Sequence, residues 1–363
     1  MKKTNLYLVI LFVGYIGGFF ILHVVMPDRD FSVIENRNLQ SFPHFGIDAI
    51  VSGKYMEDID EYVIDQFPQR DHFVAMKSKM EILLGKDENN DVYITKDNIL
   101  IDQYSKPNYE IIDANIKSIQ SFSSKVDIPV HLSLIPTQND IYAHLLPKGA
   151  PIYKQKEVID NVYKQYQQNI PIYDQLMEHR DEYIYYKTDH HWTSLGAYYG
   201  YQSIIQYFNQ TPIELPSKEL MSNEFYGTIF SKSGFRSIPR DDIYIYTPNQ
   251  KITITNEFGV QEAMLYDETK LQNKDQYELF LGGNHPLVEI QGTGEDKIMI
   301  VKDSYTNALV PFLTSHFEEI HLIDMRLYKG PLSNYIEEHQ IDEVLINYAI
   351  SNFSEDKNLI MLR

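Results

Sequence analysis

Between Lys3 and Asp28 the chain carries no Asp, Glu, Lys or Arg, and that fixes the state of its first stretch before any other pattern is read. At about 1.5 Å of rise per residue, Asn5 to Met26 is long enough to cross a hydrocarbon core about 30 Å thick as a helix. A backbone in that medium must satisfy its own N–H and C=O groups, which a helix does. Lys2 and Lys3 precede the run, so the positive-inside tendency keeps them cytoplasmic and places everything after Met26 outside the cytoplasm. No small-x-small cleavage pattern stands before Pro27-Asp28-Arg29-Asp30. An uncleaved signal-anchor, residues 1–26, is therefore expected, with a removed signal peptide as the alternative.

Chemistry concentrates in Tyr185-Tyr186-Lys187-Thr188-Asp189-His190-His191-Trp192-Thr193-Ser194-Leu195-Gly196, which holds a carboxylate, two imidazoles and the only tryptophan. Glu182 to Tyr186 is β-branched and aromatic and reads as a strand, and Leu195 to Phe208 has apolar residues at helical spacing. The Asp-His pair is thus expected on a strand-to-helix turn, where α/β sheets build polar sites. In the plainer reading Asp189 or Thr193 caps the helix and the histidines are turn residues. A second stretch, Lys297 to Leu313, reads as an apolar strand, a polar turn bearing Ser304, and a helix. That is the layout of a nucleophile elbow, with a helix amino terminus favouring developing negative charge. A serine hydroxyl needs a positioned base, which His190 or His191 offers, with Asp189 to orient it. In the alternative, Asp303 and Ser304 only cap the following helix. Metal ligation by Asp189, His190 and His191 is disfavoured, because adjacent histidines rarely converge on one ion and the helical His-x-x-x-His spacing is absent.

Asp189-His190-His191-Trp192, with Phe31-Ser32-Val33-Ile34-Glu35-Asn36-Arg37-Asn38-Leu39, Phe280-Leu281-Gly282-Gly283-Asn284-His285-Pro286 and Asp303-Ser304-Tyr305, resembles the DHHW protein family. Through it the chain is similar to SGNH-hydrolase-like extracytoplasmic O-acetyltransferases of the alginate-acetylation type. The resemblance implies an SGNH-like α/β fold with a mainly parallel sheet flanked by helices. It makes Asp189 the orienting acid, His191 the base and Ser304 the nucleophile, with His190 as spacer and His190, Trp192 and Asp303 as site neighbours. Tyr305, Gly283, Asn284 and Asn347 are the candidate oxyanion or substrate groups, between which the sequence does not choose; each asparagine also fits a turn or strand end. The Gly-Asp-Ser of standard SGNH enzymes stands here as Lys302-Asp303-Ser304, a cation in place of a small residue. Acetyl-CoA is absent outside the cell, so the resemblance further implies a membrane-bound acyltransferase that delivers acetyl groups, a polysaccharide acceptor, and no cofactor or metal.

The 363 residues carry a net charge of −19, from 51 acidic and 32 basic side chains. Nucleic acid is thereby excluded as a partner, since phosphate binding needs clustered cations. With no cysteine, disulfides and thiolate metal sites are excluded too. Residues 27–90 show helical periods at Ile47–Tyr55, Met56–Phe67 and His72–Leu84 and read as a helical juxtamembrane segment. Residues 91–363 read as the catalytic α/β domain, with strands at Pro129–Ile135, Ile184, Ile298, Ile320–Ile323 and Val344–Asn347. Within it, 226–291 reads as a β-rich insertion, with strands at Ile243–Tyr246, Ile252–Thr255 and Tyr277–Phe280. The expected protein is a membrane-anchored extracytoplasmic serine acyltransferase. Its alternatives are a carbohydrate esterase of the same fold and a noncatalytic glycan-binding or scaffold protein.

Overall fold

The computed structural model describes residues 3–32, 35, 37–103 and 106–362. Lys2 of the basic pair and Val33, Ile34 and Asn36 of the first family block lie outside the described residues. The chain forms two compact units: 1–86 with 234–237, and 87–233 with 238–363.

In the first unit α1 (Lys3–Val25) contains one stretch, Leu6–Val25, long and apolar enough to cross a membrane. A two-stranded antiparallel ribbon follows, β1 (Phe31–Ser32) with β2 (Arg37–Asn38). Then come α2 (Ile47–Val51), α3 (Lys54–Asp65) and α4 (Arg70–Leu83). The first expected helix ends early because Gly53 takes a left-handed φ of 82°, a conformation that suits glycine and breaks the run. Asp65 is buried yet satisfied, since it accepts from Arg37 and from the Gln40 N–H.

The second unit opens with a small antiparallel sheet, β3 (Glu88–Asn89), β4 (Val92–Ile94) and β5 (Leu100–Asp102). After α5 (Tyr109–Ser123) the chain enters an eight-stranded sheet with β6 (Val130–Ile135), then α6 (Gln138–Ile141), α7 (Gln155–Gln165) and the short strand β7 (Asn169–Ile170). Next are α8 (Tyr173–Glu178), α9 (Ser194–Tyr207), β8 (Glu219–Phe225), α10 (Thr228–Ser233) and β9 (Asp241–Ile245). The main sheet resumes with β10 (Lys251–Asn256), β11 (Gly259–Met264), β12 (Leu287–Gln291), β13 (Asp296–Lys302), α11 (Thr306–Leu313), β14 (Phe317–Ile323), α12 (Leu332–His339), β15 (Glu343–Ala349) and α13 (Ile350–Phe353). Its strand order is β11-β10-β12-β14-β13-β15-β6-β7. From β14 to β7 every pairing is parallel, and from β14 outward through β12, β10 and β11 every pairing is antiparallel. The sheet is therefore the expected α/β sheet, parallel where the site is built. β13 and β15 are buried along nearly their whole length, which is why they read as continuous apolar runs and not as alternating ones.

Two expected strands take other forms. Ile184 and its neighbours form no strand of the sheet; Tyr185 makes one isolated bridge to Trp192, so the Asp-His segment is a closed loop entered from α8. Tyr277 belongs to a 3-10 turn, Gln276–Leu279, started by the Asp275 side chain accepting from the Tyr277 N–H. Its aromatic and aliphatic residues are buried as a strand's would be, and the alternation did not reveal the turn.

Helix α9 reaches the loop only because it carries glycines on the contact face. A Cβ on Gly196 would stand 2.2 Å from the Ile184 carbonyl oxygen, and one on Gly200 2.8 Å from the Trp192 ring. Gly196→Ala is expected to destabilise the second unit by about 1–3 kcal/mol through overpacking against backbone. Chemical denaturation of the variant checks this; an unchanged midpoint would mean that the helix and loop do not meet so closely.

Candidate active site

The loop between Tyr185 and Trp192 is pinned from beneath by one buried acid. Asp241, on β9, accepts from the N–H groups of Lys187 and Thr188, from the Thr188 hydroxyl and from the Tyr183 hydroxyl. The Thr188 hydroxyl oxygen in turn accepts from the Gly227 N–H at 3.1 Å. Thr193 is the cap of α9, accepting from the Gly196 N–H and donating to the Tyr183 carbonyl. Asp189 does not cap that helix, so its carboxylate is left for another partner.

That partner is His191. Asp189 Oδ1 lies 2.6 Å from His191 Nδ1 and also accepts the His191 backbone N–H at 3.1 Å. Its other oxygen, Oδ2, accepts from the Thr228 N–H at 2.8 Å and the Thr228 hydroxyl at 3.0 Å. His191 Nε2 lies 2.8 Å from Ser304 Oγ. A continuous hydrogen-bonded line thus runs from Asp189 through the imidazole to the serine. The carboxylate can only accept, which fixes the His191 proton on Nδ1 and leaves the Nε2 lone pair facing the hydroxyl. Tyr277 stacks flat on His191, with ring centroids 3.8 Å apart and planes within 6°, and donates to the Ser304 carbonyl. Rotation of the imidazole out of the line is blocked by that ring.

Ser304 stands at the C-terminal end of β13, just before α11. Asp303, fully buried, shapes the turn: one oxygen accepts from the Tyr305 N–H, the other from the Ala349 N–H and the Asn352 amide. Trp192 Nε1 donates to the Tyr305 carbonyl at 2.8 Å, and the Tyr305 hydroxyl donates to the His190 carbonyl. The histidine loop and the serine turn are therefore joined twice, independently of the line from Asp189 to Ser304. His190 is the outward member of the pair, its ring half exposed and 2.8 Å from the Thr228 hydroxyl.

The other expected site residues have different partners. Asn284 Oδ1 accepts from Lys302 Nζ at 3.0 Å, and the Gly283 carbonyl lies 3.4 Å from the Asn307 amide. Asn347, buried on β15, donates to the Thr306 hydroxyl. Asp189, His190 and His191 hold ligand atoms close enough together for a metal ion. Both His191 nitrogens are already engaged, however, with Asp189 and with Ser304. A cleft of about 380 Å³ opens beside His190 and Tyr305 and is lined by Gln103, Thr137, Gln138, Asn139, Lys232, Ser351 and Asn352 among others. Thr137 and Gln138 follow β6 and Ser351 and Asn352 follow β15, so the cleft lies outside the carboxyl ends of the parallel strands. Gln138 Oε1 and Asn139 Oδ1 are buried acceptors with no partner among the described residues.

Burial by itself would raise the Asp189 pKa, but the charges of His190 and His191 and the bonds from His191 and Thr228 outweigh it and hold the group far below the usual carboxylate range. For His191, burial and then the charge on His190 push downward against the pull of Asp189, bringing it to about 4. The ionised carboxylate beside a neutral imidazole is the state the geometry favours, since the two Thr228 bonds stabilise the anion whatever the charge on His191. A neutral imidazole at pH 7 is the form able to accept a proton.

Thr228, Tyr277, Asp241 and Asn352 escaped the sequence reading. Each acts across 27 to 86 residues of chain, and no local pattern marks such a pairing. Gly227, just before Thr228, is glycine for a reason that only the fold shows: a Cβ on Gly227 would fall 2.2 Å from the Asp189 Cβ.

A family model described as DHHW protein matches residues 35–127 and 90–323, two overlapping segments that span more than half of the chain. No curated protein matches the sequence. Among solved structures, the chain is similar to a DHHW family protein from Eubacterium siraeum DSM 15702, with TM-score 0.65 and 24% identity over 76% of this chain and 95% of that one. It is also similar to PatB1 from Bacillus cereus with a sulfonyl adduct, with TM-score 0.61 and 23% identity over 75% of this chain and 98% of that one. These likenesses are of fold.

The protonation state is open to measurement. Nitrogen-15 NMR of histidine is expected to show His191 neutral with its proton on Nδ1, titrating near pH 4 against 6.5 for an ordinary histidine. Because the unfolded chain then binds the extra proton first, His191 should cost folding stability as pH falls from about 6.5 toward about 4, and nothing above that window. A midpoint at or above 6.5 would contradict the buried, neutral base.

Proposed function

The chain belongs to the DHHW protein family and has its SGNH-like α/β fold, and from that premise we propose that it is a membrane-anchored, extracytoplasmic serine acyltransferase that O-acetylates a polysaccharide. The observation that carries the reading is the unbroken line Asp189–His191–Ser304, with links of 2.6 Å and 2.8 Å. His191 Nε2 takes the Ser304 proton as Oγ attacks the acyl carbonyl of the donor, and a tetrahedral oxyanion forms. The Ser304 N–H and the amino terminus of α11 favour that charge. The intermediate collapses, His191 gives its proton to the departing donor oxygen, and an acyl-serine remains. An acceptor hydroxyl then loses its proton to Nε2, attacks the same carbonyl, and regenerates Ser304 as the proton returns to Oγ.

Asp189 stays ionised throughout and stabilises the imidazolium that forms in each half-reaction. The amide-lined cleft beside His190 suits a hydroxyl-bearing acceptor, because its lining of Gln103, Thr137, Gln138, Asn139 and Asn352 consists of amide and hydroxyl side chains, which pair with hydroxyl groups. Leu6–Val25 would hold the chain at the membrane. There a membrane-bound acyltransferase would supply the acetyl groups, as the family resemblance implies. If water takes the place of the sugar, the same residues make an esterase.

The purified full chain, offered a chromogenic acetyl ester, is expected to turn it over and to gain one acetyl group on Ser304 by intact mass. A sulfonyl fluoride should block both. Ser304→Ala and His191→Ala are expected to lower kcat by about 10³-fold or more, with a smaller loss for Asp189→Asn. Acetyl released to water in the presence of glycans would identify the esterase. Folded protein with neither adduct nor turnover would leave glycan binding without catalysis as the better reading.

A further inference from the structure

A second histidine cluster lies away from the catalytic line, between α12 and the antiparallel part of the sheet. Glu289 on β12 and His321 on β14 are direct register partners, so their side chains share one face. Glu319, two residues before His321, shares that face as well. His339 ends α12 one turn after Tyr335, and the two rings stack with centroids 4.0 Å apart. Glu289 Oε1 then stands 3.8 Å from His321 Nδ1 and 3.9 Å from His339 Nδ1. Both separations are too long for hydrogen bonds. The three ligand atoms lie within 4.8 Å of one another, and two ligands on one tetrahedral zinc ion, each about 2.0–2.2 Å from it, lie about 3.4 Å apart, so side-chain adjustment of about 1 Å or less closes the set.

The tautomer of His321 is already the one a metal requires. Its Nε2 lies 3.1 Å from Glu319 Oε2, and a carboxylate only accepts, so the proton is on Nε2 and Nδ1 carries the lone pair. Tyr335 Oη, 2.8 Å from Nδ1, donates to that lone pair. Glu319 is itself held at its other oxygen by Lys297 Nζ at 3.1 Å. A carboxylate behind a ligating imidazole is the usual outer arrangement of protein metal sites. His321 is also buried, which keeps water from competing for its ring nitrogens.

We propose that Glu289, His321 and His339 bind a divalent ion of the zinc class and thereby clip the end of α12 to β12 and β14. Two imidazoles and one carboxylate suit zinc and its neighbours better than calcium or magnesium, which take oxygen ligands. The ion takes the Nδ1 lone pair, Tyr335 gives up its bond to that atom, and water completes the four positions. The site is structural, and the proposed acyl transfer does not use it.

The test is zinc titration of the full chain in detergent after chelator treatment, followed by competition with a fluorescent chelator and by thermal unfolding. One equivalent is expected to bind, and at a hundredfold excess over Kd the Tm should rise by about 5 °C or more. His339→Ala and Glu289→Gln should each weaken binding at least about 10-fold, and Glu319→Gln by about 10- to 100-fold. His339 and Glu289 are about a third exposed, at 31% and 32%, so these variants fold even if His321→Ala does not. His190→Ala, in the other histidine cluster, should leave binding unchanged. The proposal is overturned if the stripped protein takes up no zinc. It is equally overturned if uptake survives His339→Ala and Glu289→Gln, or is lost with His190→Ala.

Discussion

An ionised carboxylate with almost no solvent contact is the constraint that the rest of the site answers to. Asp189 is 1% exposed, and a buried charge is tolerated only where hydrogen bonds replace the water it has lost. Four donors do this here: the His191 N–H and Nδ1–H on one oxygen, the Thr228 N–H and hydroxyl on the other. The two Thr228 bonds require the backbone at Gly227 to lie against Asp189, at a distance that no side chain on residue 227 would permit. The segment from β8 through α10 to β9 is therefore tied to the histidine loop, and Asp241 on β9 closes the other side of it. In a single stroke this arrangement stabilises the anion and aims the imidazole.

The serine reaches the same point from the sheet. β13 and β15 are neighbours in parallel register, with Lys302 opposite Asn347, and Asp303 spans from one strand end to the other by accepting the Ala349 N–H. Such a turn is held by backbone bonds to a rigid strand, so the position of Ser304 is set by the sheet and not by a free loop. Trp192 then links the two halves: its ring packs where Gly200 makes room on α9, and its N–H holds the Tyr305 carbonyl. The lone tryptophan belongs to the frame that holds the site, and no reacting atom need touch it.

Much of this was legible in the sequence, and the parts that were not share a cause. The strand-turn-helix around Ser304 is a local pattern and stands as expected, as do the parallel strands of the α/β sheet. Ile184 misled because a run of Tyr and Ile at the surface of the core satisfies the strand pattern whether or not backbone partners exist; here Tyr185 finds only the isolated bridge to Trp192. Tyr277 misled likewise, being buried in a 3-10 turn so that its ring could cover His191. Thr228 and Asp241 carry no local signature at all, since what matters in them is a hydrogen bond to a residue dozens of positions away.

Lys302, the cation that stands where the Gly-Asp-Ser pattern has a small residue, has a physical account. Its side chain is fully buried, and its ammonium donates to Asn307 Oδ1 at 2.6 Å and Asn284 Oδ1 at 3.0 Å. Asn284 is brought there by a turn in which Leu281, Gly282 and Gly283 all take positive φ. The Gly-Gly-Asn block and the lysine thus form one device, which a glycine at position 302 would leave with an empty space and the Asn307 amide oxygen without its lysine donor. Burial lowers the lysine's pKa to about 8, with the charge of Asp324 opposing the fall, so the group remains mostly cationic at neutral pH. That charge is among those that push the His191 pKa down. In the proposed acyl transfer, a fixed cation beneath the Ser304 turn would act in the same direction as the amino terminus of α11. The lysine is thereby compatible with the elbow, for it leaves the 2.8 Å contact between His191 and Ser304 in place.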